Sequence, residues 1–255
     1  ILTEVAKIEK EKQQQIIGRV KTKTNMQQKK QEPQDGRIIA YPDYNIRSSS
    51  QKNIYGEKFV LRLLKKNQTI KSIFDLGFPN DPVLLKEAFD KRNSITVIAA
   101  PTGEGKTTTL YSAMTYLNKP QINVTTIEDP VEIRIPGLNQ IEIDPKTTFA
   151  MSLRTVLRQD PDIILVGEIR DNETAKIAMQ AGQTGHYVLS TIHTTDAVEV
   201  ISRLREMDIS DYDISSTVAT SISQRLVRKL CTKCRKPRKF NDKEKLITFI
   251  QQIQN

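Results

Sequence analysis

The spacing of apolar residues changes along this chain, and the change divides it. From Ile1 to Gln34 the composition is rich in Lys, Gln and Glu, and Ile1, Val5, Ile8, Ile16 and Val20 recur at roughly helical spacing. That pattern predicts a helix with one apolar face followed by a polar connection. From Gly36 to Leu64 the pattern becomes short extended pieces, ending in the strand-like run Lys58 to Leu64. Residues 1–74 therefore read as a small α+β domain. Gly77, Pro79 and Pro82 then punctuate the chain, which places a linker at 75–81.

Beyond the linker, apolar strands and helical segments alternate. Strands are expected at Ile95–Ala99, Ile122–Ile127, Ile163–Val166 and Tyr187–Thr191, and helices at Thr108–Leu117, Phe149–Arg158, Glu173–Ala181 and Ala197–Met207. Such alternation predicts a mostly parallel sheet covered by helices, here over residues 82–230. Two short β-like runs between Pro130 and Pro145 flank Pro136 and Gly137 and read as a hairpin inserted in that scheme. Residues 231–255 form a carboxyl-terminal extension. Thr148, Asp171 and Asp196 sit where helices start and read as caps.

Bulk properties narrow the class. At 255 residues and 37% hydrophobic content the chain can bury a core. No run approaches the roughly 18 apolar residues of a membrane span, and no signal-peptide pattern opens the chain, so a cytoplasmic location is expected. Cys231 and Cys234 are too close to staple a fold, and a structural disulfide is not expected. The net charge of +9 is uneven, with eight Lys or Arg and no Asp or Glu from Arg225 to Lys239. That block suits an anionic membrane face, an acidic protein or nucleic acid, or is simply a solvated tail.

The candidate chemistry starts at Ala100. The segment Ala100 to Thr107 follows the strand Ile95–Ala99 and precedes a helix, the setting of a phosphate-binding loop. Gly103 and Gly105 let backbone N–H groups turn toward phosphate oxygens, Lys106 supplies a point charge, and Thr107 can place its hydroxyl on Mg²⁺. Pro101, Thr102, Gly103, Glu104, Gly105, Lys106, Thr107 and Thr108 are the expected ATP-binding residues. Ala100 stands where the pattern has its first glycine; were positive φ needed there, alanine would cost about 1–2 kcal/mol.

Ligands of an open parallel sheet bind at the carboxyl ends of its strands. The second strand ends at Glu128, the third runs into Glu168, and the fourth into His193. Glu168 stands where nucleotide hydrolases place a carboxylate that reaches Mg²⁺ or its waters. Glu128 is the other candidate to orient the attacking water. Both are candidate catalytic residues, with base and metal-shell roles unassigned between them. His193 can hydrogen-bond a γ-phosphate. His186, at the other end of the same strand, reads as structural, and an odd separation puts the two histidines on opposite faces.

These segments together resemble the type II secretion and type IV pilus assembly ATPases. The resemblance rests on Pro101–Tyr111, Thr126–Glu132, Leu153–Asp162, Val166–Asp171, Thr184–Thr194 and Gln224–Cys231, and runs from about Gln34 to Cys234. It implies a RecA-like P-loop NTPase domain with a mostly parallel sheet, preceded by a small α+β, PAS-like domain that is the second half of a larger amino-terminal region. It also implies that Glu128 lies in an aspartate box, Glu168 in a second nucleotide motif and His193 in a histidine box. Arg47 and Arg62 match arginines of the smaller domain that reach the phosphates when the domains close; Arg154 and Arg158 match positions near a subunit or domain contact.

The expected molecule is an Mg²⁺-dependent ATPase assembled as a homo-hexamer. It would sit at the inner face of a bacterial inner membrane, against platform and cytoplasmic adaptor proteins of a secretion or pilus machine, with an anionic membrane contact open to its basic block. A nucleotide-gated scaffold with little turnover is a second reading, motivated by Ala100 and by Glu104, an anion where the family usually has serine. A DNA-handling motor using the basic tail ranks third. Cys231 and Cys234 are followed by no further Cys or His, half of what zinc normally requires, so no zinc site is expected.

Overall fold

A computed structural model describes residues 3–29, 32–38, 43–65, 69–78, 82–144 and 146–237. Ile1 of the expected amino-terminal face, Pro79 and Asp81 of the linker, Pro145, and Arg238 and Lys239 of the basic block lie outside the described residues. Residues 1–224 form one compact unit and residues 225–255 a second.

The first helix is shorter than its apolar spacing predicts. Helix α1 spans Lys10–Lys23, while Val5 and Ile8 lie exposed before it and Ile16 is 39% exposed within it. A face of five apolar residues scattered through Lys and Gln buries too little area to hold an extra helical turn. Instead α1 is pinned by its carboxyl end, where buried Lys21 pairs with Glu57 at 2.9 Å.

Three antiparallel strands follow: β1 (Gln34–Ile38), β2 (Tyr44–Asn53) and β3 (Gly56–Lys65), in the order β1-β2-β3. Arg37 is paired with Arg47 and Arg47 with Arg62. Directly opposed residues share a face of the sheet, so the three arginines form a single row across it, an arrangement that repels itself unless anions lie nearby.

A 3-10 turn at Ile73–Asp75 and α2 (Pro82–Asp90) lead to the larger sheet. Its strands are β4 (Ile95–Ala99), β5 (Val124–Glu128), β6 (Asn139–Glu142), β7 (Ile163–Val166), β8 (Tyr187–Ile192) and β9 (Val218–Ser223), in the order β6-β5-β7-β8-β4-β9. Every pairing is parallel. The hairpin expected between Pro130 and Pro145 is therefore absent; its second run became β6, an edge strand beside β5. The first run, ending before Pro136, holds no strand. Its backbone and side chains are engaged elsewhere: Glu132 and Ile133 donate backbone N–H bonds to Tyr111.

Helices cover both faces. Along β7, Ile164 and Val166 enter a core with α4 (Phe149–Val156), α5 (Asn172–Gln183), α6 (Glu199–Glu206) and α7 (Asp211–Thr217), while Ile163 and Leu165 enter one with α2 and α3 (Lys106–Leu117). Alternate residues of a strand point to opposite faces, which explains the split. The expected caps are present: Thr148 accepts from Met151 N at 3.1 Å and Asp171 from Thr174 N at 2.8 Å. Asp196 binds the N–H groups of Val198 and Glu199, both at 2.8 Å, closing the turn just before α6.

Candidate nucleotide site

Because all six strands run the same way, their carboxyl ends share one edge. There a cavity of about 420 Å³ opens between the loop 100–105 and the ends of β5, β7 and β8. Lys106, Glu128, Glu168 and His193 all line it. Pro101, Thr102, Gly103, Gly105, Thr107 and Thr108 line it too; Glu104 does not.

The loop owes its course to two left-handed glycines, Gly103 at φ 86° and Gly105 at φ 82°, the second serving as the cap of α3. Ala100 is buried and is not among the left-handed residues, so replacing glycine there carries no backbone penalty. Lys106 Nζ donates to the carbonyls of Ala100 and Pro101, the latter at 3.1 Å, holding its charge inside the loop's curve. Gln224, the residue after β9, supports the loop: it donates to Glu104 O at 2.6 Å and accepts from Thr109 Oγ1 at 2.8 Å.

Glu128 is 5% exposed. Tyr111 donates its hydroxyl to Oε2, while Thr126 Oγ1 at 2.6 Å and Gln140 Nε2 at 3.1 Å donate to Oε1. Gln140 lies on β6, in register with Thr126 of β5. Burial, reinforced by the nearby Glu128 charge, pushes the Tyr111 hydroxyl well above the usual phenol range and keeps it a donor. Desolvation first, then repulsion by Glu128, also pushes the Glu132 carboxyl up, against the pull of Arg47.

Glu168 has a different set of partners. Its side chain is 13% exposed and lies between Arg170, which pairs with Oε1, and His193 Nε2, 3.2 Å from Oε2. Gly167 makes this possible: a Cβ there would stand 3.1 Å from Ile127 O, so glycine lets the end of β7 approach that of β5 closely. His186 is held apart at the opposite end of β8 by the carbonyl of Ala181.

Arg47 and Arg62 do not line the cavity. Arg47 lies 4.0 Å from Asp129, which does, while Arg37 pairs with Glu142 at the end of β6. Burial and then the Arg37 charge pull the Arg47 guanidinium below its ordinary value, opposed by Asp129, Glu142 and Glu132. Arg62 is exposed. Arg154 pairs with Glu173 on α5 at 2.7 Å, and Arg158 donates to Arg154 O at 3.0 Å, far along the chain from the phosphate loop. Cys231 and Cys234 are exposed free thiols.

Sequence reasoning missed Tyr111, Gln140, Arg170 and Gln224 as parts of this site. Only Arg170 carried a local signal, being two residues beyond Glu168.

The family model for type II/IV secretion system proteins matches residues 1–254. This chain belongs to that family. Among curated members of this secretion family, it is 44% identical over 230 residues to the type IV pilus assembly ATPase PilB of Acinetobacter baylyi, covering 87% of this chain and 40% of that protein. To type II secretion system protein E of Aeromonas hydrophila it is 41% identical over 253 residues, covering 96% of this chain and 50% of that one. The chain thus spans half or less of these relatives. A crystal structure of the pilus retraction motor PilT with bound ADP superposes with a TM-score of 0.66 at 31% identity, covering 77% of this chain and 59% of that one. The six-stranded unit accordingly has the RecA-like ATPase fold of the secretion family.

Proposed function

We propose that this chain binds and hydrolyses ATP at the cavity on the carboxyl edge of its six-stranded sheet, as the motor of a secretion or pilus assembly machine. The observation that carries the reading is the meeting of Lys106, Glu128, Glu168 and His193 around one cavity bounded by a phosphate-type loop. Backbone N–H groups of the loop and Lys106 receive the phosphates, and His193 faces the terminal phosphoryl group. Mg²⁺ takes hard oxygen ligands and keeps several waters; the Thr107 hydroxyl and the Glu168 carboxylate on this cavity fit it. Bound there, it would neutralise charge on the phosphate oxygens.

The surroundings of the two glutamates divide their work. Glu168 is flanked by two basic groups, Arg170 and His193, whereas Glu128 receives only neutral donors. Glu128 is the better placed to orient water and accept its proton, and Glu168 to hold water around the metal. The arginine row of the small sheet supplies the remaining charge: a closing movement that carries Arg47 past Asp129 would bring a planar cation to the transferring phosphoryl group. Domain closure, assembly as a hexamer and docking on membrane platform and adaptor proteins complete this reading. No helix among the described residues is long and apolar enough to cross a membrane. With Ala100 free of strain and Glu104 outside the cavity lining, nothing in the site favours a scaffold without turnover.

Phosphate release by the full chain tests the reading. Lys106→Ala is expected to abolish release and to weaken ADP binding by about tenfold or more; equal release by both proteins would refute hydrolysis at this site. Glu168→Gln is expected to raise the Mg²⁺ concentration for half-maximal rate by about tenfold, the scale of disturbing a metal's outer shell. An unchanged Mg²⁺ requirement would remove Glu168 from that role.

A further inference from the structure

Tyr111 sits in α3, five residues after Lys106, and is 2% exposed. Its hydroxyl makes three bonds. Backbone N–H groups of Glu132, at 3.0 Å, and Ile133, at 3.4 Å, donate to the phenolic oxygen, and the hydroxyl proton goes to Glu128 Oε2. A phenol has one proton to give and two lone pairs to fill, so the two N–H donors leave the proton only the carboxylate. The direction of the bond is thereby set by its neighbours.

We propose that Tyr111 is a positioning residue for Glu128, fixing the carboxylate relative to the phosphate loop through the rigid rod of α3. The proposal rests on the hydrolytic reading above. Lys106 and Thr107 open the same helix, and a helix rises about 1.5 Å per residue with little bending over two turns. A carboxylate tied to Tyr111 therefore keeps a constant offset from the lysine and threonine that would hold the phosphates. Thr126 and Gln140 restrain the other oxygen from β5 and β6, so Tyr111 is the restraint that comes from the phosphate-binding element itself. The hydroxyl also anchors the segment after β5, whose Asp129 meets Arg47 and whose Val131 N–H is bound by Glu142, the partner of Arg37. One oxygen atom thus joins the helix behind the phosphates, the candidate base, and the segment that faces the small sheet.

Tyr111→Phe keeps the ring and removes only the hydroxyl, so packing in the core is preserved. In the full chain, kcat for phosphate release is expected to fall by about ten- to thirtyfold, the scale of one hydrogen bond to a charged group. KM for ATP and the affinity for ADP should stay within about twofold, because the phosphate contacts are untouched. The decisive arm is Tyr111→Phe in a Glu128→Gln background, where groups acting as a unit are non-additive: no further loss is expected beyond about twofold. A single variant as active as the wild type, or losses that multiply in the double variant, would overturn the proposal. So would a variant that loses ADP binding and cooperative melting together, which marks a structural residue. If the wild type releases no more phosphate than Lys106→Ala, hydrolysis itself fails and the proposal with it; an active wild type and silent Glu128→Gln beside a fully active Tyr111→Phe sinks the positioning role alone.

Discussion

Glu128→Gln should lower phosphate release by about 10²–10⁴-fold, the range that a positioned proton acceptor contributes, and leave ADP affinity nearly unchanged. Glutamine has the same shape, and its oxygen can still accept from Thr126 or Tyr111, so the local fold survives. What disappears is the negative charge and the second acceptor. The amide must also present an NH₂ group to one of three existing donors, leaving that donor unsatisfied at a stability cost of about 1–3 kcal/mol. Rate and melting should therefore be measured together: a large rate loss with a modest stability loss fits a catalytic carboxylate. A rate within about threefold of wild type would move the proton acceptor elsewhere in the site.

Arg47→Ala is expected to have the next largest effect, a fall of about 10²–10³-fold in phosphate release at saturating ATP, somewhat below the range of arginines supplied to phosphoryl transfer. The arginine starts outside the cavity, 4.0 Å from Asp129, in a row with Arg37 and Arg62, where burial and then the Arg37 charge hold its guanidinium below its ordinary value against the pull of Asp129, Glu142 and Glu132. A triphosphate offers this row more negative charge than any one of these carboxylates does. Arg47→Lys should recover only part of the rate, since a point charge cannot match the planar fork. The check is a single-turnover rate with ADP affinity measured in parallel. Equal losses of rate and ADP affinity would make Arg47 a ground-state binding residue, and no loss would leave it a surface cation held by Asp129.

Short apolar runs that open on a polar residue and stop at a chain breaker are legible in the sequence. Ile95–Ala99, after Ser94 and ahead of Pro101, and Ile163–Val166, after Asp162 and ahead of Gly167, are observed at their expected bounds, because such β-branched runs suit a strand buried on both faces. β9 has no such signature, because Val218–Ser223 is a half-buried edge strand rich in hydroxyl side chains; Asn139–Glu142, the other edge strand, shows in the sequence as a β-like run but pairs parallel with β5 instead of closing a hairpin. Apolar spacing overstates the amino-terminal helix, since spaced apolar residues do not reveal whether anything covers them, and Val5 is 95% exposed.

The same logic separates the parts of the site. Glu128 ends β5, Glu168 and His193 come within two residues of the ends of β7 and β8, and Lys106 closes the loop that leaves β4, so parallel topology brings them to one edge. Tyr111 and Gln140 depend on helix phase and on the β5–β6 register, which only a three-dimensional structure supplies. The arginine row was partly legible: Arg47 and Arg62 came from resemblance, but their alignment with Arg37 is a product of strand register.

A nucleoside triphosphate is expected in the cavity between the loop 100–105 and the ends of β5, β7 and β8. A crystal structure with a non-hydrolysable ATP analogue and Mg²⁺ tests it most directly. Phosphate oxygens should lie within hydrogen-bond reach of Lys106 Nζ and the loop N–H groups, with the terminal phosphoryl group facing Glu128, Glu168 and His193. Analogue bound elsewhere, or phosphates that leave Lys106 on the carbonyls of Ala100 and Pro101, would contradict it.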